Sequence, residues 1–195
     1  MPDQPTRRRM LRDAGRGAAV LLVSAAGLAA AATGAAAASS AFRWCSRCQG
    51  MWFIEGDNQG HCPVFHLWDH NHYSSGSGVY TIRRATEPGA GQPGWHWCRF
   101  CKAVWYLGRG ERGQGVCPLF PGWHSPGQPV PDLLLDSFRL EDVTNNNGPG
   151  GQDRWHFCHR CNCLFFAGNG LAATRCPADG NHDGSRSGNY LLRVS

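Results

Sequence analysis

The 195-residue chain holds ten cysteines and eight tryptophans and has a formal net charge of +5 at pH 7. Five of its 19 basic residues and two of its 14 acidic residues lie within the first 41, which leaves residues 42–195 with a formal charge of +2. Nucleic-acid binding requires cations clustered along the phosphate backbone. Because Lys102 is the only lysine of this nearly neutral segment, the composition argues against nucleic acid as a partner.

The N-terminal segment has the features of an export signal. Residues 6–12 read Thr-Arg-Arg-Arg-Met-Leu-Arg, which resembles the twin-arginine motif, and an alanine-rich apolar run follows at residues 17–38. Three alanines at 36–38 predict cleavage after Ala38, with cleavage after Ala41 as the alternative. We therefore predict a signal peptide over residues 1–41 and a secreted or extracytoplasmic protein, exported by the twin-arginine route, with no stable membrane insertion after signal removal. An uncleaved anchor is the alternative, since about 20 apolar residues can span a bilayer.

The rest of the chain repeats one pattern three times. Each copy has a C-x-x-C, then Cys-Pro after 13 to 15 residues, then a histidine after 5 to 9 more. The copies lie 53 and 60 residues apart, which is typical of a repeat architecture. We assign the copies to residues 42–94, 95–154 and 155–195. The candidate metal ligands are Cys45, Cys48, Cys62 and His72; Cys98, Cys101, Cys117 and His124; Cys158, Cys161, Cys176 and His182.

These residue types at these spacings predict three structural Zn²⁺ ions. A C-x-x-C turns two sulfurs toward one point, and a distant cysteine and histidine complete a tetrahedron. A disulfide framework is the alternative in an exported protein, but three cysteines per copy cannot pair internally without a leftover. In the first copy His72 is preferred over His70. His72 lies eight residues before the closing Tyr80, and the third copy repeats that spacing from His182.

Aromatic residues flank each C-x-x-C with the alternation of a β-strand. The predicted strands are residues 42–45, 50–54, 79–83, 95–98, 103–107, 137–142, 155–158, 163–167 and 189–193. The fold class is therefore all-β, with three zinc-stapled β-hairpin repeats packed as one pseudo-threefold, β-trefoil-like body; three tandem zinc-ribbon-like beads are the alternative. The tenth cysteine, Cys163, stands where the other copies have Gly50 and Ala103, so we interpret it as a small buried side chain.

The repeat as a whole resembles an uncharacterised family of bacterial exported proteins built from tandem copies of about 50 residues. The resemblance rests on the aromatic-C-x-x-C-x-x-apolar-aromatic-aromatic segment, the Gly-rich turn before Cys-Pro, the histidine and a closing Tyr-x-aliphatic step, all clearest in residues 155–192. It covers residues 42–195 and implies export and zinc-ribbon-like repeats. It implies no activity.

An exported body rich in aromatic residues is typical of a binding module, because aromatic faces pack on sugar rings and repetition adds avidity. We predict a non-enzymatic monomer that binds an extracellular or cell-envelope polysaccharide. No hydrolase motif or phosphate loop occurs, and each predicted zinc has four protein ligands, which leaves no position for a catalytic water. An extracellular hydrolase and a protein-interaction module are the alternatives. The candidate contact residues are Trp68, Trp123 and Arg109.

Overall fold

Each copy contributes three β-strands to the computed structural model of the protein, which describes residues 39–54, 56–107, 113–119, 122–127, 137–146 and 148–195. The described residues include no α-helix, only a short 3₁₀ helix at Leu171–Ala173. This confirms the all-β prediction. The strands are β1 (Ser39–Trp44), β2 (Met51–Phe53), β3 (Tyr80–Arg84), β4 (Gln92–Trp97), β5 (Val104–Tyr106), β6 (Phe138–Asp142), β7 (Gln152–Phe157), β8 (Leu164–Phe166) and β9 (Tyr190–Val194).

Two predicted features fall outside the described part of the chain. Residues 1–38, which hold nearly all of the predicted signal peptide, are not described, and neither is Arg109. In the part that is described, no helix has the length and apolar character that crossing a bilayer requires.

The three strands of a copy form the same antiparallel unit each time. The first two strands form a hairpin with the C-x-x-C at its turn, and the first strand also pairs, through an irregular register, with the third. Because side chains alternate across a strand, residues that face each other in a hairpin lie on the same side of it. Aromatic residues face each other at the equivalent position of all three hairpins: Phe42 and Phe53, Trp95 and Tyr106, Trp155 and Phe166.

The third strands β3, β6 and β9 join the copies in a ring. The end of β3 pairs with the start of β6, the end of β6 with the start of β9, and the end of β9 returns to the start of β3. The last pairing sets Val194 opposite Tyr80. The copies therefore belong to one nearly closed sheet with approximate threefold symmetry and do not stand as separate beads, whereas the likeness to a β-trefoil stays a prediction.

A second set of contacts joins the copies beside the C-x-x-C turns. In each contact an aromatic residue of one copy meets the small residue that lies two positions after the second C-x-x-C cysteine of another copy. Neighbouring backbone amides reinforce these contacts with hydrogen bonds of 2.9–3.0 Å to carbonyls of the adjoining copy. A small residue is required here because another backbone approaches closely. The bridged pairs are Trp52 with Ala103, Trp105 with Cys163, and Phe165 with Gly50.

The barrel core repeats one aromatic contact at every boundary between copies. A first-strand aromatic residue meets a third-strand aromatic residue edge to face, with ring centroids 5.1–5.3 Å apart. Such pairs are worth about 0.5–1.5 kcal/mol beyond their buried area. Ile82, Leu140 and Leu192, one from each third strand, are at most 1 % exposed and complete the core. The aromatic pairs are Phe42 with Phe138, Trp95 with Tyr190, and Trp155 with Tyr80.

Two of these pairs carry a hydroxyl, and each hydroxyl finds a glutamine of the adjacent copy. Tyr80 donates a hydrogen bond of 2.6 Å to Gln152 Oε1, and Tyr190 donates to Gln92 Oε1. At the third boundary Phe138 has no hydroxyl and needs no such partner. Since a buried hydroxyl without a partner is costly, these pairs favour one arrangement of the copies around the barrel.

One carboxylate links all three copies at an end of the barrel. Arg83, Glu141 and Arg193 occupy equivalent positions in the third strands, and the Glu141 side chain is only 7 % exposed. Its carboxylate accepts hydrogen bonds from Arg83 Nη2 at 2.8 Å and from Arg193 Nη2 at 2.9 Å. The three side chains border a cavity of about 110 Å³ in which the third strands meet. Glu141 therefore holds the ring of third strands together electrostatically.

Candidate metal centres

The structure brings the twelve candidate ligands together in three separate clusters. Every ligand side chain is buried, and the four ligand atoms of each cluster lie within 4.8 Å of one another. Each cluster combines the hairpin turn of one copy with that copy's later Cys-Pro and histidine loop. The grouping follows the sequence pattern: Cys45, Cys48, Cys62 and His72; Cys98, Cys101, Cys117 and His124; Cys158, Cys161, Cys176 and His182.

Each C-x-x-C turn is closed by a residue in the left-handed conformation directly after the second cysteine. Gln49, Lys102 and Asn162 have φ of 65°, 63° and 63°. This conformation costs a non-glycine residue roughly 1–2 kcal/mol. In return, the amide of each residue donates a 2.8 Å hydrogen bond to the carbonyl of the first cysteine of its turn. The turn thereby points both sulfurs at one place.

The distances within the clusters fit a tetrahedral zinc ion. The Sγ atoms of the first and third cysteines are 3.8–4.0 Å apart, and the second cysteine's Sγ lies 3.5–3.7 Å from the histidine Nδ1. Bond lengths of about 2.3 Å for Zn–S and about 2.0 Å for Zn–N imply separations of about 3.8 Å and about 3.5 Å in a tetrahedron. A disulfide requires sulfurs about 2.05 Å apart. All ten cysteines are free, so the structure does not support the disulfide alternative.

Backbone amides point at the sulfurs, as they do around thiolates that carry negative charge. In the first cluster the amides of Gly50, Val64 and Tyr73 each lie 3.4 Å from a ligand sulfur. In the third cluster the amides of Ala178 and Asp183 do the same at 3.4 Å. These donors compensate part of the charge that three buried thiolates would place in the protein interior.

The three thiols of a cluster differ in acidity. Hydrogen bonds from Cys48 and Cys62 hold the pKa of Cys45 well below its usual range. Cys45 in turn raises the pKa of Cys62 to about 12, and it is the largest cause of the raised pKa of Cys48. One thiol therefore ionises readily, and the other two need a nearby cation to do so. Metal binding is consequently coupled to the release of protons from the cluster.

The histidine of each cluster is held in place by an aromatic ring. Trp52 stacks on His72 with centroids 5.3 Å apart, Trp105 stacks on His124 at 5.4 Å, and Phe165 stacks on His182 at 4.6 Å. These rings belong to the aromatic pairs that follow each C-x-x-C in the sequence. One residue of each such pair therefore covers the metal ligand rather than a binding surface.

The structure favours His72 over His70 in the first copy. His72 is 2 % exposed and presents Nδ1 to Cys48, while its Nε2 lies 3.1 Å from the carbonyl of Cys101 in the next copy. His70 is exposed and stacks instead on His61, with centroids 4.4 Å apart. A hydrogen bond to the second nitrogen orients a metal-binding imidazole, so His72 has the surroundings of a ligand.

The three clusters are connected to one another through the backbone. The residue before each Cys-Pro donates its amide to the carbonyl of the second C-x-x-C cysteine in another copy. These bonds run from the first copy to the second, from the second to the third, and from the third back to the first. A change in one cluster therefore reaches the next. The donor and acceptor pairs are His61 and Cys101, Val116 and Cys161, and Arg175 and Cys48.

Cys163 is buried at 4 % exposure beside the axis of the ring, as expected for a small side chain. It does more than fill space, because its Sγ lies 3.2 Å from Nε2 of His124, a candidate ligand of the second cluster. The corresponding partner of His72 is a backbone carbonyl. Cys163 is therefore a neighbour of the second cluster and not a member of the third, which is complete without it.

The residues predicted to contact a ligand lie apart from the metal centres. Trp68 is 91 % exposed and Trp123 is 49 % exposed, and Arg109 lies outside the described residues. Sequence reasoning missed a polar groove whose walls include His61 and Arg175. Both residues directly precede a Cys-Pro, and that repeated position was the signal that could have found them.

Comparisons with known proteins find no match: no protein-family model, no curated protein and no solved structure matches the chain. The resemblance to a family of exported bacterial proteins is therefore not confirmed and stays a prediction.

Proposed function

We propose that the protein is a secreted, non-catalytic binding module, stabilised by three structural Zn²⁺ ions, whose ligand is an extracellular or cell-envelope polysaccharide. The observation that carries the proposal is the position of Trp68, whose side chain is 91 % exposed at the tip of a tight turn. An indole contributes to folding by being buried, and this one contributes almost nothing in that way. Contact with a ligand gives the side chain a role.

The turn that presents Trp68 is strained. His66 and Asp69 exchange two backbone hydrogen bonds of 3.0 Å, and the two residues between them, Leu67 and Trp68, have φ of 50° and 98°. Turns of this kind usually have Asn-Gly at the two positions, because both need positive φ. Strain at an exposed position is typical of functional sites, where a side chain must be held outward.

Polar groups beside the turn suit a sugar. Arg47 Nη1 binds the Asp69 carboxylate at 2.6 Å, and Asp69 Oδ1 also accepts the amide of Asn71 at 3.0 Å. Tyr73 is half exposed, with the Arg47 guanidinium 5.1 Å from its ring centre. An aromatic face with fixed hydrogen-bonding groups next to it is how proteins hold a pyranose ring and its hydroxyls.

The donor count of the metal centres supports a structural role for zinc. Each cluster offers three sulfurs and one imidazole nitrogen, all buried, which completes a tetrahedron. A catalytic zinc needs a position open to water or substrate. Saturated sites of this kind contribute to folding, so the ligand is bound without being altered.

Replacing Trp68 by alanine is expected to weaken polysaccharide binding at least tenfold, because the main stacking surface is lost. Binding of the mature, zinc-loaded protein to insoluble chitin, cellulose and peptidoglycan is measured by depletion from solution. Leu171→Ala is the matched control, since Leu171 is another exposed apolar residue, on the 3₁₀ helix of the third copy. Equal retention of wild type, Trp68→Ala and Leu171→Ala on a polysaccharide that binds would rule out Trp68 as the contact. Turnover of any of these polymers would contradict the non-catalytic assignment.

Export by the twin-arginine route predicts that Arg7→Lys and Arg8→Lys together leave the precursor inside the cell. The pair is recognised as a sequence and not as bulk charge, so conserving the charge does not rescue export. Cell fractionation followed by immunoblotting measures the outcome. Normal secretion of the double variant would show that another route carries the protein.

A further inference from the structure

A polar groove of about 450 Å³ lies between the Cys-Pro loops of the first and third copies. The prolines of all three Cys-Pro pairs border it: Pro63, Pro118 and Pro177. The groove lies on the exposed side of the first and third metal centres and includes none of the residues of the Leu67–Trp68 turn. Its volume falls within the range of small-ligand sites.

One wall of the groove is made by two histidines from the first copy. The His61 and His70 rings stack 4.4 Å apart with an angle of 14° between their planes. The far side of His70 packs against Phe65 at 4.8 Å, and the His61 amide is bound to the carbonyl of Cys101. The two imidazoles are therefore held in position and present ring nitrogens at the groove.

The opposite wall is made by the third copy. Arg175 directs its Nη1 at the carbonyls of Ala172 and Thr174, at 3.0 Å and 2.7 Å, and at Asn181 Oδ1, at 3.0 Å. Because one nitrogen makes all three bonds, the guanidinium is fixed in orientation while Nη2 and Nε stay available. Asp179 binds the amide of Gly180 through Oδ1, which leaves Oδ2 as a free acceptor.

We infer that this groove binds the carboxylate of an acidic sugar, a uronic acid residue of the polysaccharide. The guanidinium of Arg175 and the imidazoles of His61 and His70 are donors suited to a carboxylate, and Asp179 is an acceptor suited to a sugar hydroxyl. A phosphate dianion fits less well, because Asp179 opposes a second negative charge. The equivalent of His61 and Arg175 in the second copy is Val116, which offers no such donor.

This inference rests on the proposed function and narrows its ligand to anionic chains. The experiment compares tetragalacturonate with its methyl ester, which keeps the backbone and removes the charge. Isothermal titration calorimetry of the zinc-loaded mature protein should show at least tenfold tighter binding of the acid. Arg175→Gln should remove most of that preference.

Arg160→Gln is the matched control. Arg160 also binds carbonyls of the third copy's metal loop, at Ala178 and Asn181, but does not line the groove. Loss of affinity in both variants alike, or equal affinity for acid and ester, overturns the inference. Binding of neither oligosaccharide also overturns it, and Trp68-dependent binding to a neutral polysaccharide would then show that the proposed function stands without it. Three zinc ions per chain in each variant, measured by elemental analysis, exclude unfolding as the cause.

Discussion

Cys161→Ala is expected to lose zinc from the third centre and to unfold the whole of residues 42–195, not the third copy alone. Metal binding in such centres contributes on the order of 10 kcal/mol to folding. That amount is comparable with the entire stability of an ordinary domain, about 5–15 kcal/mol. The loss spreads because β9, the last strand of the third copy, pairs with both β3 and β6. The carbonyl of Cys161 also accepts the amide of Val116 from the second copy.

The measurement combines zinc content per chain with near-ultraviolet circular dichroism, which reports the packed tryptophans. Wild type should hold about three zinc ions. Cys163→Ala is the matched control, two residues away and equally buried. It should keep all three ions and cost about 1 kcal/mol or less, because Ala103 stands at the same position in the second copy and only the contact with His124 is lost. Equal zinc loss in the two variants would mean that the ligands of the third centre are misassigned. Retention of near-ultraviolet signal from the other two copies in Cys161→Ala would show that the copies fold independently.

Glu141→Ala is expected to lower the free energy of unfolding by about 3 kcal/mol. Removing one partner of a buried ion pair leaves the other charge uncompensated, which typically costs 3–5 kcal/mol. The lower end applies because the Arg83 and Arg193 side chains are 23 % and 31 % exposed and are partly screened by water. Urea unfolding monitored by tryptophan fluorescence gives the value.

Asp69→Ala is the control for this effect. Its ion pair with Arg47 is as short, at 2.6 Å, but the Asp69 side chain is 42 % exposed and the pair lies within one copy. An exposed pair of this kind contributes less than about 1 kcal/mol. If the two variants were destabilised equally, the link that Glu141 makes among the three copies would have no special weight.

The local structure could be read from the sequence because each part depends on neighbouring residues. Alternating aromatic residues predicted the strand at residues 42–45, which is found as β1, Ser39–Trp44. The C-x-x-C spacing predicted a tight turn with converging sulfurs. The count back from Tyr80 identified His72 as the member of the first cluster. In each case the ligand geometry or the strand period restricts the residues within a short stretch of chain.

The contacts between copies could not be read in this way, because they join residues far apart in the chain. Nothing near Glu141 in the sequence indicates that Arg83 and Arg193 lie on either side of it. The proximity of Cys163 to His124 likewise follows only from the closure of the ring. The polar groove also forms only when the first and third copies meet.

The sequence by itself determined the number of copies, the four ligands of each metal centre and the all-β character, since metal geometry and strand periodicity act over short distances. The tertiary structure decided how the copies are arranged. It joined the third strands into a ring, stacked Trp52 on His72, and left Trp68 exposed on a strained turn. The physical reason is that burial and backbone pairing between copies depend on the whole chain, so the sequence could not show which aromatic residues would cover a metal centre and which would stay at the surface.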